Sequence, residues 1–236
     1  MTKVSGHWTT QTTSYFFLSH CPFKTPPITN HIKNKKKHTH TDSKYVTCGS
    51  AIKLHHTEKS KNYYLASEGQ RINGRGSSGQ QLVTADPNRS EMTSLWIVSE
   101  GHNQTPCTIG KKIPYGTKIR FTHVQTKNNL HSHNMRSPIS NQQEVSGFGE
   151  DGIGDSGDDW MIQPKKGTKD HYWKIGELVY VKHADTGVYL GSTDQAKFSM
   201  NNCGRNCPVM DHLEVFGRKS ADTFGYWKTE TGIFLS

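Results

Sequence analysis

From residue 45 onward, apolar and polar residues alternate in short runs separated by Gly, Asn and Asp, the texture of half-buried strands joined by turns. One alternation occurs three times. Gly49 is followed by Ile52, Leu54 and His56, Gly116 by Ile119, Phe121 and His123, and Gly176 by Val179, Val181 and His183. In every copy the apolar residues fall three and five places after the glycine and the histidine seven, so one strand face carries them all. His123 is followed by Thr126 and Leu130, and His183 by Thr186 and Leu190, at identical spacing; the first copy reaches Leu65 after two extra residues. A second strand recurs at 80–83, 142–145 and 212–215, and each copy closes on a tryptophan: Trp96, Trp160 and Trp227.

A unit of three or four short strands cannot bury its own apolar face, so the three copies must share a core. Mutual closure also removes most exposed sheet edges. The pattern therefore predicts an all-β fold, a β-trefoil over 45–236, with lobes at about 45–108, 109–168 and 169–236. Three blades are too few to close a propeller.

Composition adjusts this picture in two ways. Only 31% of residues are hydrophobic and mean hydropathy is -0.78, so apolar side chains must be concentrated in a small core. No run approaches the roughly 18 apolar residues of a membrane-spanning helix. The net charge of +9 is uneven: residues 1–44 hold seven of the 29 Lys and Arg and one of the 20 acids. The body is nearly balanced, and a basic tail reads as a solvated segment rather than a nucleic-acid site. That tail, with Pro22, Pro26 and Pro27 and no helical or strand period, is expected to be disordered, a failed secretory signal or a gene-model extension. The apolar run at 14–21 lacks a basic flank and is too short for a signal core of roughly 7 to 15 residues.

Several stretches resemble the stromal cell-derived factor 2 family of MIR-domain proteins: Val46-Thr47-Cys48-Gly49-Ser50, Asn129-Leu130-His131-Ser132-His133, the run at 137–152, and Trp227 through Gly232-Ile233-Phe234. The resemblance covers about residues 45 to 236. It implies a β-trefoil, the endoplasmic reticulum lumen or secretion, and an adaptor or co-chaperone role with a J-domain co-chaperone, the lumenal Hsp70 and unfolded or glycosylated clients. It also implies no cofactor and no catalysis. Two departures stand out. No retrieval tetrapeptide is visible at Phe234-Leu235-Ser236, and Tyr115 and Gln163 stand where the family has a pair of cysteines. Cys48 and Cys107 match family positions and are expected to bridge, closing a long loop.

The remaining chemistry is weighed against this background. Cys203 and Cys207 have a spacing that allows a local disulfide but is not that of redox or zinc motifs. His56, His123 and His183 recur in three equivalent places, which favours structural hydrogen bonding over catalysis. His131 and His133 break the symmetry, since the third copy has Gly191 and Thr193 there. A binding site, if localised, is therefore expected in the second lobe, with His123, His131, His133, Glu144, Glu150, Asp151 and Trp160 as its residues. A glycan-binding, lectin-like module is the alternative function. The acidic loop at 150–159 has carboxylates for calcium but not EF-hand spacing. No metal site, phosphate loop or nucleophile elbow is read elsewhere. Asn88 and Asn103 head N-glycosylation sequons in loops.

Overall fold

A computed structural model describes residues 44–57, 62–73, 77–89 and 92–233. Apart from Lys44, the predicted tail lies outside the described residues. The first repeat forms β1 (Ala51–His56), β2 (Tyr63–Ala66), β3 (Gln81–Leu82), β4 (Thr84–Asp86) and β5 (Trp96–Glu100). The second forms β6 (Lys118–His123), β7 (Asn129–Arg136), β8 (Gln143–Phe148) and β9 (Trp160–Pro164). The third forms β10 (Leu178–His183), β11 (Tyr189–Lys197), β12 (Leu213–Arg218) and β13 (Trp227–Ile233), with one helical turn, α1 (Met200–Cys203), between β11 and β12.

Strand pairing closes in a ring. β1 pairs with β5, β5 with β6, β6 with β9, β9 with β10, β10 with β13 and β13 with β1, all antiparallel. These six strands are a barrel with no free edge. The hairpins β2–β4, β7–β8 and β11–β12 cap it and join each other through β4–β12, β12–β8 and β8–β3. A closed barrel capped by three hairpins is a β-trefoil, as the repeat predicts.

The repeated residues have physical assignments. Gly49, Gly116 and Gly176 all have φ near +80°, a left-handed turn conformation that costs glycine least, and each leads into a barrel strand. Ahead of them, Val46, Ile113 and Trp173 plug the barrel end through a cycle of backbone hydrogen bonds. Val46 N–H donates to Trp173 (2.9 Å), Ile113 to Val46 (3.1 Å) and Trp173 to Ile113 (2.8 Å). Behind them, the apolar pairs Ile52/Leu54, Ile119/Phe121 and Val179/Val181 point inward with the three tryptophans and Leu65, Leu130 and Leu190, all essentially inaccessible to water. Among the described residues, most of the buried apolar side chains thus gather in one core.

Candidate functional site

Each barrel corner is built from a His–Trp pair. His56 faces Trp227, His123 faces Trp96 and His183 faces Trp160 in strand register, with ring centroids 4.9, 4.8 and 4.8 Å apart. The tryptophan Nε1–H donates to the carbonyl of Leu190, Leu65 or Leu130 at 2.8–2.9 Å. The histidine Nε2 meets a carbonyl three residues before its tryptophan: Phe224 at 2.9 Å, Thr93 at 3.0 Å and Gly157 at 2.9 Å. His123 and His183 also hold Thr126 and Thr186 through Nδ1. Burial pushes all three histidines below their usual value, His56 to about 4. They are neutral structural groups at pH 7.

The second lobe adds a network without counterpart among the described residues of the other lobes. Asp158 is fully buried; its Oδ1 lies 2.9 Å from His131 Nδ1, and its Oδ2 accepts from Asn129 Nδ2 (2.9 Å) and the Asp155 N–H (3.1 Å). The glycines of the loop make room for this. A Cβ on Gly154 would sit 1.8 Å from Asp158 Oδ2, and one on Gly157 would sit 2.3 Å from His131 Cε1. Beside it, His133 Nε2 is 2.9 Å from Glu144 Oε1, and Glu144 also accepts from the Ser78 hydroxyl and N–H. Burial would raise the Glu144 pKa, but the bonds from His133 and Ser78 outweigh it and hold the carboxyl below its ordinary value.

Glu144 has an analogue. Glu214 in the third lobe accepts the N–H groups of Ile139 and Ser140 at 2.7 and 2.8 Å, so each glutamate ties down a loop of the preceding lobe. The first lobe has Leu82 at this place. There the three hairpins leave a cleft of about 460 Å³ lined by Ile72, Leu82, Ile139, Phe198, Cys203 and Val209, among others. A second cleft of about 580 Å³, between lobes two and three, is lined by Asn134, Arg136, Asn141, Gln142, Gln143 and Lys219, among others.

These placements correct part of the expected site. Trp160 and His123 are fully buried and hydrogen-bonded in corners, so neither can contact a ligand. Glu144 and His131 are likewise buried, and His133 is half-buried against Glu144. Glu150 and Asp151 are exposed in a tight turn, where the Glu150 N–H donates to Ile153. They do not converge with Asp155 and Asp158, so the acidic run does not form one calcium cage. Both expected disulfides are formed, Cys48–Cys107 and Cys203–Cys207. Asn88 and Asn103 are exposed. Sequence reasoning missed Asp158 and Asn129 because a buried carboxylate in an acidic run looks like its solvated neighbours; the glycines at 154 and 157 were the available signal.

The fold and its corner set define a MIR-type trefoil, and residues 44–205 match the MIR domain family. Stromal cell-derived factor 2 of Homo sapiens is 40% identical over 80% of this chain and 82% of its own length. The stromal cell-derived factor 2-like protein of Dictyostelium discoideum is 37% identical over 80% of this chain and 84% of its own. The chain belongs to the stromal cell-derived factor 2 family. Among solved structures, the similar protein from Arabidopsis thaliana superposes with a TM-score of 0.70 at 35% identity, covering 81% of this chain and 97% of that one. The protein O-mannosyltransferase complex of S. cerevisiae, solved bound to the sugar donor, gives 0.66 at 25% identity over 83% of this chain and 27% of that one.

Proposed function

We propose that this chain is a non-catalytic adaptor of protein folding in the endoplasmic reticulum lumen, working with a J-domain co-chaperone and the lumenal Hsp70. The observation that carries the reading is the likeness to stromal cell-derived factor 2 along the whole trefoil. Two disulfides fit an oxidising compartment. His123, His131 and His133 are spent on a corner and on loop anchoring. The cleft among the three hairpins, whose lining mixes Leu82, Ile139, Phe198 and Val209 with Arg71 and Asn202, suits an extended client segment. Pull-down from lumenal extract should recover a J-domain protein stoichiometrically, and the purified chain should suppress client aggregation; failure of both defeats the proposal.

A second reading, glycan binding, is favoured by the amide-lined cleft between lobes two and three, whose Asn and Gln side chains can both donate to and accept from sugar hydroxyls. On this reading, free mannose or a related sugar elutes the protein's bound partners, and Gln142→Ala weakens that retention.

A further inference from the structure

Among the described residues, three groups of His, Cys, Asp and Glu side chains lie close enough to share a cation. Two are closed by other bonds. Cys48 and Cys107, beside Glu100, form a disulfide, and in the His131–Asp155–Asp158 group both Asp158 oxygens are taken by hydrogen bonds. The third group, Glu68, Asp86 and His212, remains open, with donor atoms within 4.8 Å of one another. Glu68 follows β2, Asp86 ends β4, and His212 immediately precedes β12, which pairs with β4. Asp86 and His212 are buried and Glu68 is exposed, so solvent reaches the group past Glu68.

The imidazole is held in a ligand's posture. Its Nδ1 lies 2.9 Å from Thr84 Oγ1, which fixes the ring, while Nε2 faces Asp86 Oδ1 at 3.4 Å. In the tautomer whose Nδ1–H donates to Thr84, the Nε2 lone pair faces Asp86 and is available, with the carboxylate, to a cation between them. Asp86 Oδ1 keeps one hydrogen bond, from the Asn88 N–H at 2.7 Å. The set occurs once: the places equivalent to Glu68 hold His133 and Thr193, and those equivalent to His212 hold Gln80 and Gln142.

We infer that Glu68, Asp86 and His212 bind a divalent transition-metal cation, with zinc the best match. One imidazole, two carboxylates and a water complete a four-coordinate set, and ligand bonds of roughly 2.0–2.2 Å require only that the exposed Glu68 side chain swing inward. Calcium fits less well, because its ligands are oxygens and imidazole is not among them. The bound ion clips the first lobe to the third.

The test is thermal unfolding of the full chain, stripped with chelator and then titrated with zinc chloride. An ion bound only by the folded state raises Tm, whereas zinc held by histidines of the 1–43 segment, such as His38 and His40, adds to the calorimetric stoichiometry without raising it. The expected result is a rise of several degrees, reversed by chelator. Glu68→Gln should abolish the rise while unfolding at the temperature of the metal-free wild type, Asp86→Asn should also abolish it, and Asp155→Asn should keep it. No rise in the wild type, an undiminished rise in Glu68→Gln, or its loss in Asp155→Asn overturns the assignment.

Discussion

The three barrel corners and the second-lobe network both bury histidine, and they do so for different reasons. In the corners the same bonds are made three times: a tryptophan indole to a leucine carbonyl, a histidine to the carbonyl three residues before that tryptophan, and a ring-on-ring contact. In the network, His131 and Asp158 fill places that are Gly191 and Gly225 in the third lobe and Ala66 and Ser94 in the first. The fold therefore does not require the pair. What the pair adds is an anchor, because Asp158 gathers Asn129, His131 and the Asp155 backbone onto one buried carboxylate. In the second lobe, then, broken symmetry marks a fastened loop rather than an open site.

The largest effects should come from the repeated set. Trp96→Ala, Trp160→Ala and Trp227→Ala each remove a fully buried indole and its hydrogen bond, and each should cost about 3–5 kcal/mol by urea denaturation. The three values should agree closely. One corner costing far less than the others would show that the apparent symmetry conceals unequal roles. The two disulfides give a similar contrast: Cys48–Cys107 spans 59 residues and Cys203–Cys207 only 4. Loop-closure entropy assigns about 4 kcal/mol to the first and about 2 to the second. Replacing each pair by alanine should lower Tm in that order, and a reversed order would mean that the short bridge holds the α1 turn and the cleft wall beside it.

How far the sequence revealed this depends on whether a residue's role repeats. Gly49, Gly116 and Gly176, the inward apolar pairs and the closing tryptophans could be aligned because each lobe needs the same turn, strand face and corner, so the trefoil was legible. The structural role of the corner histidines followed from the same triplication. The second-lobe site was legible only as a region. His131 and His133 mark it, but whether they face water or a carboxylate depends on a partner 27 or 11 residues away in the chain, set by where the loop folds back. Glu68, Asp86 and His212 left no sequence signal, since they converge through the β4–β12 pairing between two lobes.

Acidification tests the corners as a class. Their histidines titrate below 6.5 when folded, because burial disfavours the charged ring, and His56 does so at about 4. The unfolded chain therefore takes up protons below about pH 6.5 that the native state refuses, so stability is complete above that pH and falls as pH drops toward the folded values. His56 alone should remove about 2 kcal/mol by pH 5. Glu144, held below its ordinary value, acts in the same direction only further down, its contribution lost as pH falls below about 4.5. Tm measured at pH 7.5, 6 and 5 should decline steadily, and a flat profile would contradict neutral, buried corners.

The finest discrimination is between the corner histidines and His131, and it rests on space rather than charge. Gly157→Ala places a methyl 2.3 Å from His131 Cε1, an overlap that the buried ring cannot relieve by turning without loosening its Nδ1 bond to Asp158, and should cost about 1–3 kcal/mol. His131→Gly alone should cost a similar amount, because it leaves Asp158 Oδ1 without its partner. If the two residues are one fitted unit, the double variant His131→Gly/Gly157→Ala should be less destabilised than the sum of the singles, since the methyl then occupies space the ring has vacated. The first corner offers the contrasting case: His56 bonds to the Phe224 carbonyl and shares no partner with Gly157, so Gly157→Ala and His56→Ala should simply add. A favourable coupling with His131 and none with His56 would separate an anchor built into one lobe from a corner that all three lobes repeat.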